Sequence, residues 1–175
     1  MASIFTPHLR ISRVEQLDFD LLGRLDLDAL LLDVDCTLKE YRSLTVPERI
    51  VEWVKSLRER KIGMCLVSNG RGSRISTVAE QLGLPLVSTA LKPFPRGCRR
   101  ALAEHGFDPR HTAMVGDQAF ADVVAGRWAG LFTILVDPIH PEQEPWFTRA
   151  KRPLERFLVR RVEYAEPCRG VGETT

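Results

Sequence analysis

Three observations predict an α/β fold in which a central parallel sheet of about five strands carries helices on both faces. Short apolar runs alternate with amphipathic helical patterns along the chain, the arrangement that winds a sheet in both directions through right-handed crossovers. The run Ala29-Leu30-Leu31-Leu32 is apolar without alternation, as a strand covered on both faces must be. Polar groups suited to chemistry follow the apolar runs directly, and the carboxyl ends of the strands are where open α/β sheets keep their sites.

Taken in order, strands are expected near 29–34, 62–67, 85–88, 112–116 and 131–136. Between the first two, Thr45-Val46-Pro47-Glu48 has the form of a capping box, and Ile50, Val51, Val54 and Leu57 follow at helical spacing, so a helix is expected from about 45 to 60. After the second strand, Ile75, Val78, Ala79 and Leu82 repeat that spacing until Gly83 stops it. Further helices are expected near 95–105 and 118–129, the latter ended by Gly130. Pro138, Pro141 and Pro145 mark an irregular stretch, and Pro153 is placed to open a last helix through about Val162. The chain reads as one domain over 1–165, with 166–175 an unstructured tail.

The composition excludes several classes. Of 175 residues, 44% are apolar and 27% charged, the balance of a globular chain with a core rather than a disordered one. A net charge of +2 gives no general reason to expect nucleic acid as partner. Apolar stretches fall far short of a bilayer span, and the first residues lack the apolar core of a signal peptide, so a cytoplasmic protein is expected. Cys36, Cys65, Cys98 and Cys168 form neither a C-x-x-C pair nor a zinc spacing. Free thiols are the expectation.

The chemistry concentrates where the strands end. Asp33 and Asp35 leave the first strand two residues apart, and alternation along a strand points both side chains the same way. Two such charges about 4 Å apart repel by roughly 4 kcal/mol at an effective dielectric near 20, so the pair calls for a cation or a shared proton. The later strands end on Ser68-Asn69-Gly70, on Lys92-Pro93, and on Gly116-Asp117 with Asp122 beyond. Together these supply what phosphoryl transfer needs: a nucleophile in line and neutralisation of the oxygens of the transferred group. Asp33 suits the nucleophile, since a carboxylate forms an acyl phosphate. Asp35 suits the acid and base. Lys92 with the hydroxyls of Thr37 and Ser68 suits the phosphoryl oxygens, with Asn69 in support. Asp117 adds a second carboxylate for a hard cation such as Mg²⁺, and Asp122 fits a role through a coordinated water or an outer hydrogen bond. Taken singly, Ser68 also fits a helix cap, Asn69 a turn and Asp122 a first-turn acid.

The set resembles the four motifs of the haloacid dehalogenase (HAD) superfamily of phosphatases, subclass IIIA. Asp33-Val34-Asp35-Cys36-Thr37 looks like the first, Ser68 the second, Lys92 the third, and Gly116-Asp117 with Asp122 the fourth. The resemblance implies a three-layer Rossmann-like fold and a phosphoaspartate mechanism. It also implies Mg²⁺ held by Asp33, Asp117 and the backbone carbonyl of Asp35. Pro7-His8-Leu9, Val67-Ser68-Asn69, Val115 to Asp122, Thr133 to Ile139, Phe147-Thr148-Arg149 and Leu154-Glu155-Arg156 resemble the capless YqeG-type branch, which includes phosphatidylglycerophosphate phosphatases. Cys36 stands where that branch usually has Asn, and Gly70 where another Asn is frequent.

Thirty residues separate Thr37 from Ser68 and 23 separate Ser68 from Lys92, too few for a folded cap, which takes about 50 or more. A partner subunit, a large substrate or a surface must then cover the site. Between Arg149 and Arg161, the basic Arg149, Lys151, Arg152, Arg156, Arg160 and Arg161 oppose the single acid Glu155, after Trp146 and Phe147. Basic side chains gain about 1 kcal/mol each at an anionic bilayer and aromatics sit at its interface, so peripheral contact with the inner membrane face is one reading. A solvated helix packing Leu154, Phe157 and Leu158 inward is the other. The expected function is Mg²⁺-dependent phosphomonoester hydrolysis, best with phosphatidylglycerophosphate, to phosphatidylglycerol and phosphate. The alternatives are a soluble phosphatase for nucleotide or sugar phosphates and a non-catalytic basic adaptor on RNA, ribosome or membrane. A homo-oligomer is compatible with the open site.

Overall fold

Each expected strand forms, and one more joins them. The computed structural model describes residues 4–143, 146–159 and 162. Its strands are β1 (Leu9–Ile11), β2 (Ala29–Leu32), β3 (Gly63–Val67), β4 (Leu86–Val87), β5 (Thr112–Gly116) and β6 (Phe132–Val136). All pair in parallel, in the order β1-β6-β5-β2-β3-β4. The addition to the expected five is β1, a three-residue edge strand held by β6, with Leu9 opposite Ile134 and Ile11 opposite Val136.

The helices are α1 (Phe19–Arg24), α2 (Glu48–Glu59), α3 (Ser73–Leu82), α4 (Arg96–His105), α5 (Val124–Ala129) and α6 (Trp146–Val159). Strand alternation sends Leu30 and Leu32 to one face of the sheet, where Leu22, Ile50, Leu57, Ile75 and Val78 from α1, α2 and α3 pack. Leu31 goes to the other face, with Cys98, Ala101 and Ala125 from α4 and α5. That two-sided burial is why β2 carries no polar residue. The chain leaves β2 toward β3 and β4, then returns to lay β5 on the opposite edge of β2. The loops that follow β2 and β5 therefore part from one another, opening a crevice at the topological switch point.

Several boundaries differ from expectation for local reasons. The capping box at 45–48 does not form: α2 starts at Glu48 after Pro47, without a side-chain cap. Pro47 itself occupies the cap position in extended backbone, with ψ 140°, and has no side-chain acceptor to offer. Pro153 lies inside α6 rather than opening it, so seven residues of helix precede it. The segment expected as a helix from 118 begins with a π turn over Ala119–Val123 before α5. Gly83 and Gly130 end their helices in the left-handed conformation, as read from the sequence. Cys36, Cys65 and Cys98 are free and buried; Cys168 and the tail 166–175 lie outside the described residues. No helix among the described residues is long and apolar enough to cross a membrane. The gaps after the first and second motifs hold only a short loop with α2 and β3, and α3 with β4. Neither has room for a cap.

Candidate active site

Register brings the acidic residues together. Leu32 lies opposite Val115, and the Asp33 N–H donates to the Val115 carbonyl at 2.9 Å, so Asp33 and Asp117 each emerge one residue beyond adjacent strands. Ser68 emerges likewise from β3, its N–H donating to Val87. The π turn after Gln118 brings Asp122 back over Gly116, where its Oδ2 accepts from the Gln118 N–H at 3.0 Å. Gly116 is required for this approach, since a Cβ there would lie 2.2 Å from the Asp122 carboxyl carbon.

Asp33, Asp117 and Asp122 are buried and offer carboxylate oxygens within 4.8 Å of one another. Lys92 is buried among them. Its Nζ donates to Asp33 Oδ1 at 2.5 Å and to the Val67 carbonyl at 2.8 Å. It also lies in ionic contact with the buried Asp122 Oδ1, at 2.7 Å. The three carboxylates gather around one ammonium. An all-oxygen donor set fits a hard divalent cation. Burial pushes the Asp33 carboxyl up to about 6, Lys92 opposing and Asp122 adding to the rise. Burial would depress the Lys92 ammonium, but Asp122 and Asp33 more than reverse this and hold it charged. The Thr37 hydroxyl sits 3.4 Å from Asp33 and 3.3 Å from Asp117.

The Asp35 side chain is held by two cations. β2 ends at Leu32, and beyond it Cys36 adopts φ 64°. The Asp35 carboxylate meets Arg74 of α3 in a two-point fork, Nη1 to Oδ1 at 2.6 Å and Nη2 to Oδ2 at 2.8 Å. Lys39, fully buried, donates to Oδ1 at 2.6 Å. Burial pushes the Asp35 carboxyl up, but Arg74 and Lys39 outweigh it and hold the group below its ordinary value. Arg74 and Lys39 are absent from the residues singled out in the sequence. Lys39 carried one signal, its i,i+4 spacing from an acid; Arg74 looked like any exposed arginine in a first helical turn.

Asn69 and Ser68 are drawn into loop architecture. The Asn69 amide donates to the Lys92 carbonyl at 2.9 Å and accepts from the Lys92 N–H at 2.7 Å, so it fixes the backbone that carries the ammonium. The Ser68 hydroxyl accepts from the Gly70 N–H at 3.0 Å and tightens the turn before α3. Asp122, expected at one remove from a metal, stands with the other two acids.

Strand-end acids around a buried lysine at the switch point of a parallel sheet define a class, and residues 6–130 match the family model of the haloacid dehalogenase-like hydrolases. The chain belongs to that family. It is 28% identical over 159 residues to the probable phosphatase YqeG of Bacillus subtilis, a match covering 91% of this chain and 92% of that one. It is also 28% identical to the chloroplastic/mitochondrial phosphatidylglycerophosphate phosphatase 1 of Arabidopsis thaliana, across 89% of this chain but 47% of that longer protein. Among solved structures, a HAD family hydrolase from Deinococcus radiodurans with bound phosphate and sodium superposes with TM-score 0.56 at 16% identity, covering 81% of this chain and 92% of that one. The cobalt-bound deoxy-D-mannose-octulosonate 8-phosphate phosphatase of Haemophilus influenzae gives 0.54 at 16% identity, covering 77% and 88%. At that identity the superpositions establish the shared fold.

Proposed function

We propose that this hydrolase is a Mg²⁺-dependent phosphomonoesterase working through a phosphoaspartate, with phosphatidylglycerophosphate its best substrate. The observation that carries the reading is the buried triad Asp33, Asp117 and Asp122 around Lys92, with Asp33 beside the ammonium. Mg²⁺ held by Asp33 and Asp117, with the Asp35 carbonyl and Asp122 nearby, would supply charge neutralisation for the phosphoryl oxygens.

In the first displacement, an Asp33 carboxylate oxygen forms a bond to phosphorus as the bond to the alcohol oxygen breaks, and Asp35 delivers a proton to the departing alkoxide from the small fraction of chains in which it holds one against the pull of Arg74 and Lys39. In the second, Asp35 takes a proton from water as its oxygen attacks phosphorus, and the bond to Asp33 breaks to free inorganic phosphate. Lys92, with Thr37 and Ser68, holds phosphoryl oxygens in place, and Asn69 keeps the Lys92 loop in register.

Two observations support a lipid substrate. Neither gap holds a cap, which leaves the mouth open to a headgroup lying on a surface. Leu154 and Phe157 of α6 do not pack inward: they are 54% and 57% exposed, and Trp146 is 79% exposed. Among the described side chains of this helix, those buried are Glu155, which accepts from the Phe120 N–H at 3.1 Å, and Val159. An outer face with aromatic and aliphatic groups, in a helix whose sequence includes Arg149, Lys151, Arg152 and Arg156, suits peripheral attachment to an anionic bilayer. The Arabidopsis relative's name supports the same substrate.

Protein supplied with Mg²⁺ is expected to release phosphate from an aryl phosphate, to stop on addition of EDTA, and to lose the activity in Asp33→Asn. Retained turnover in that variant refutes the mechanism. Faster turnover of phosphatidylglycerophosphate in vesicles than of nucleotide or sugar phosphates at equal concentration is the result expected for the lipid substrate. Preference for the soluble esters refutes it.

A further inference from the structure

The charges around Asp35 run opposite to those of the acidic triad. Arg74 and Lys39 both bond to one carboxylate, leaving one positive charge over. Glu40, next in the chain, does not cancel it, because its carboxylate is turned to His140 at 3.4 Å and Gln143 at 3.5 Å. The two cations differ in access. Lys39 is fully buried, while the Arg74 side chain is 26% exposed. A guanidinium has five N–H donors, and the fork on Asp35 uses two. Lys92, which serves the phosphoryl side in the reading above, has a side chain only 3% exposed, so of the three cations Arg74 is the one within reach of a group arriving from solvent.

We propose that Arg74 is a positioning residue that aims the Asp35 carboxylate at the leaving oxygen and, through its remaining N–H donors, binds a second anionic group carried by the leaving alcohol. This rests on the phosphomonoesterase reading above and narrows it to substrates with a further phosphate or phosphodiester a few bonds from the scissile ester. A planar fork holds both carboxylate oxygens at once, which a point charge cannot do. The two parts of the role are therefore separable by substitution.

The first measurement is binding, made without turnover on an Asp33→Asn background in Mg²⁺ buffer, by calorimetric titration with glycerol 1,3-bisphosphate and with glycerol 1-phosphate. With Arg74 present, the bisphosphate is expected to bind about tenfold or more tighter. In Arg74→Ala the ratio should fall to about two, the statistical factor for two equivalent phosphates, and Arg74→Lys should keep part of the preference. A ratio unchanged by Arg74→Ala overturns the proposal. So does equal weakening of both ligands, which would assign Arg74 to the transferred phosphoryl group. The second measurement uses chains with Asp33 intact. Arg74→Ala should lower kcat on an aryl phosphate at unchanged KM, and should also raise KM for the bisphosphate. Arg74→Lys should restore that KM without restoring kcat. Loss of kcat and KM together on the aryl phosphate overturns the positioning role. Circular dichroism and the unfolding midpoint show that each variant folds. Phosphate release by the unsubstituted chain tests the activity separately: a collapse of the affinity ratio in a chain without turnover would refute that activity and leave the second-anion site standing.

Discussion

Replacing the nucleophile should stabilise the protein. Asp33 is buried beside Asp122, and its carboxyl titrates near 6 in the folded chain against 3.8 for an unperturbed one. Between these values the folded state holds the proton more tightly than the unfolded state, so stability falls as pH rises through the window and the full cost stands above it. Two units correspond to about 3 kcal/mol, an upper bound for the metal-free protein. Asn cannot ionise and retains an oxygen to accept from Lys92. In EDTA at pH 7.5, Asp33→Asn is therefore expected to be more stable by up to about 3 kcal/mol, or roughly 6–12 °C in midpoint for a chain of this size. The difference should close near pH 4, where both side chains are neutral. Thermal unfolding at the two pH values, with and without Mg²⁺, checks this. Mg²⁺ should raise the wild-type midpoint more than that of the variant, because it neutralises the charge that the substitution removes. A variant less stable at both pH values, or a gap that persists at pH 4, would refute the reasoning.

Other substitutions test the supports of the site. Asn69→Ala removes both hydrogen bonds to the Lys92 backbone; urea unfolding should show a loss of about 1–2 kcal/mol, and kcat/KM on an aryl phosphate should fall at least about tenfold as the ammonium loses its register. Gly116→Ala drives a methyl into the Asp122 carboxyl; it should cost about 1–3 kcal/mol and abolish the Mg²⁺-dependent rise in midpoint. Cys36→Asn places at φ 64° a residue that enters the left-handed region more readily; activity should persist, with stability higher by about 1 kcal/mol in denaturant titration.

The positions of the chemical groups were legible in the sequence because strands buried on both faces leave long apolar signatures, and the topology gathers the residues at their carboxyl ends into one crevice. Asp33, Ser68, Lys92 and Asp117 could be placed in this way. What escaped depended on distant partners. β1 has three residues, one of them Arg10, and exists through its pairing with β6; no local pattern announces so short an edge. The π turn over Ala119–Val123 that carries Asp122 to its place beside Asp33 and Asp117 is one wide turn, too brief to shift the hydrophobic period. The partners of Asp35 were out of reach in the same way, since its fork with Arg74 spans 39 positions. On α6 the amphipathic pattern was clear while its inward side was not, because the buried Glu155 satisfies a backbone N–H that only the folded chain brings to it.

The sheet order ranks the parts of the molecule by how easily they open. β2 and β5 have strands on both edges, whereas β1 and β4 each have one partner and only three and two residues. Amide protons of Leu30 to Leu32 and of Ala113 to Val115 should thus exchange only through global unfolding, and those of the margins through smaller fluctuations. Asp33 and Asp117 follow the pair of strands expected to exchange most slowly, while Arg74 sits in the first turn of α3, the helix that leads into β4. Under mild denaturation the chain should lose its discrimination among esters before it loses the grip on its metal, failing as a selective catalyst while still intact as a cation chelator.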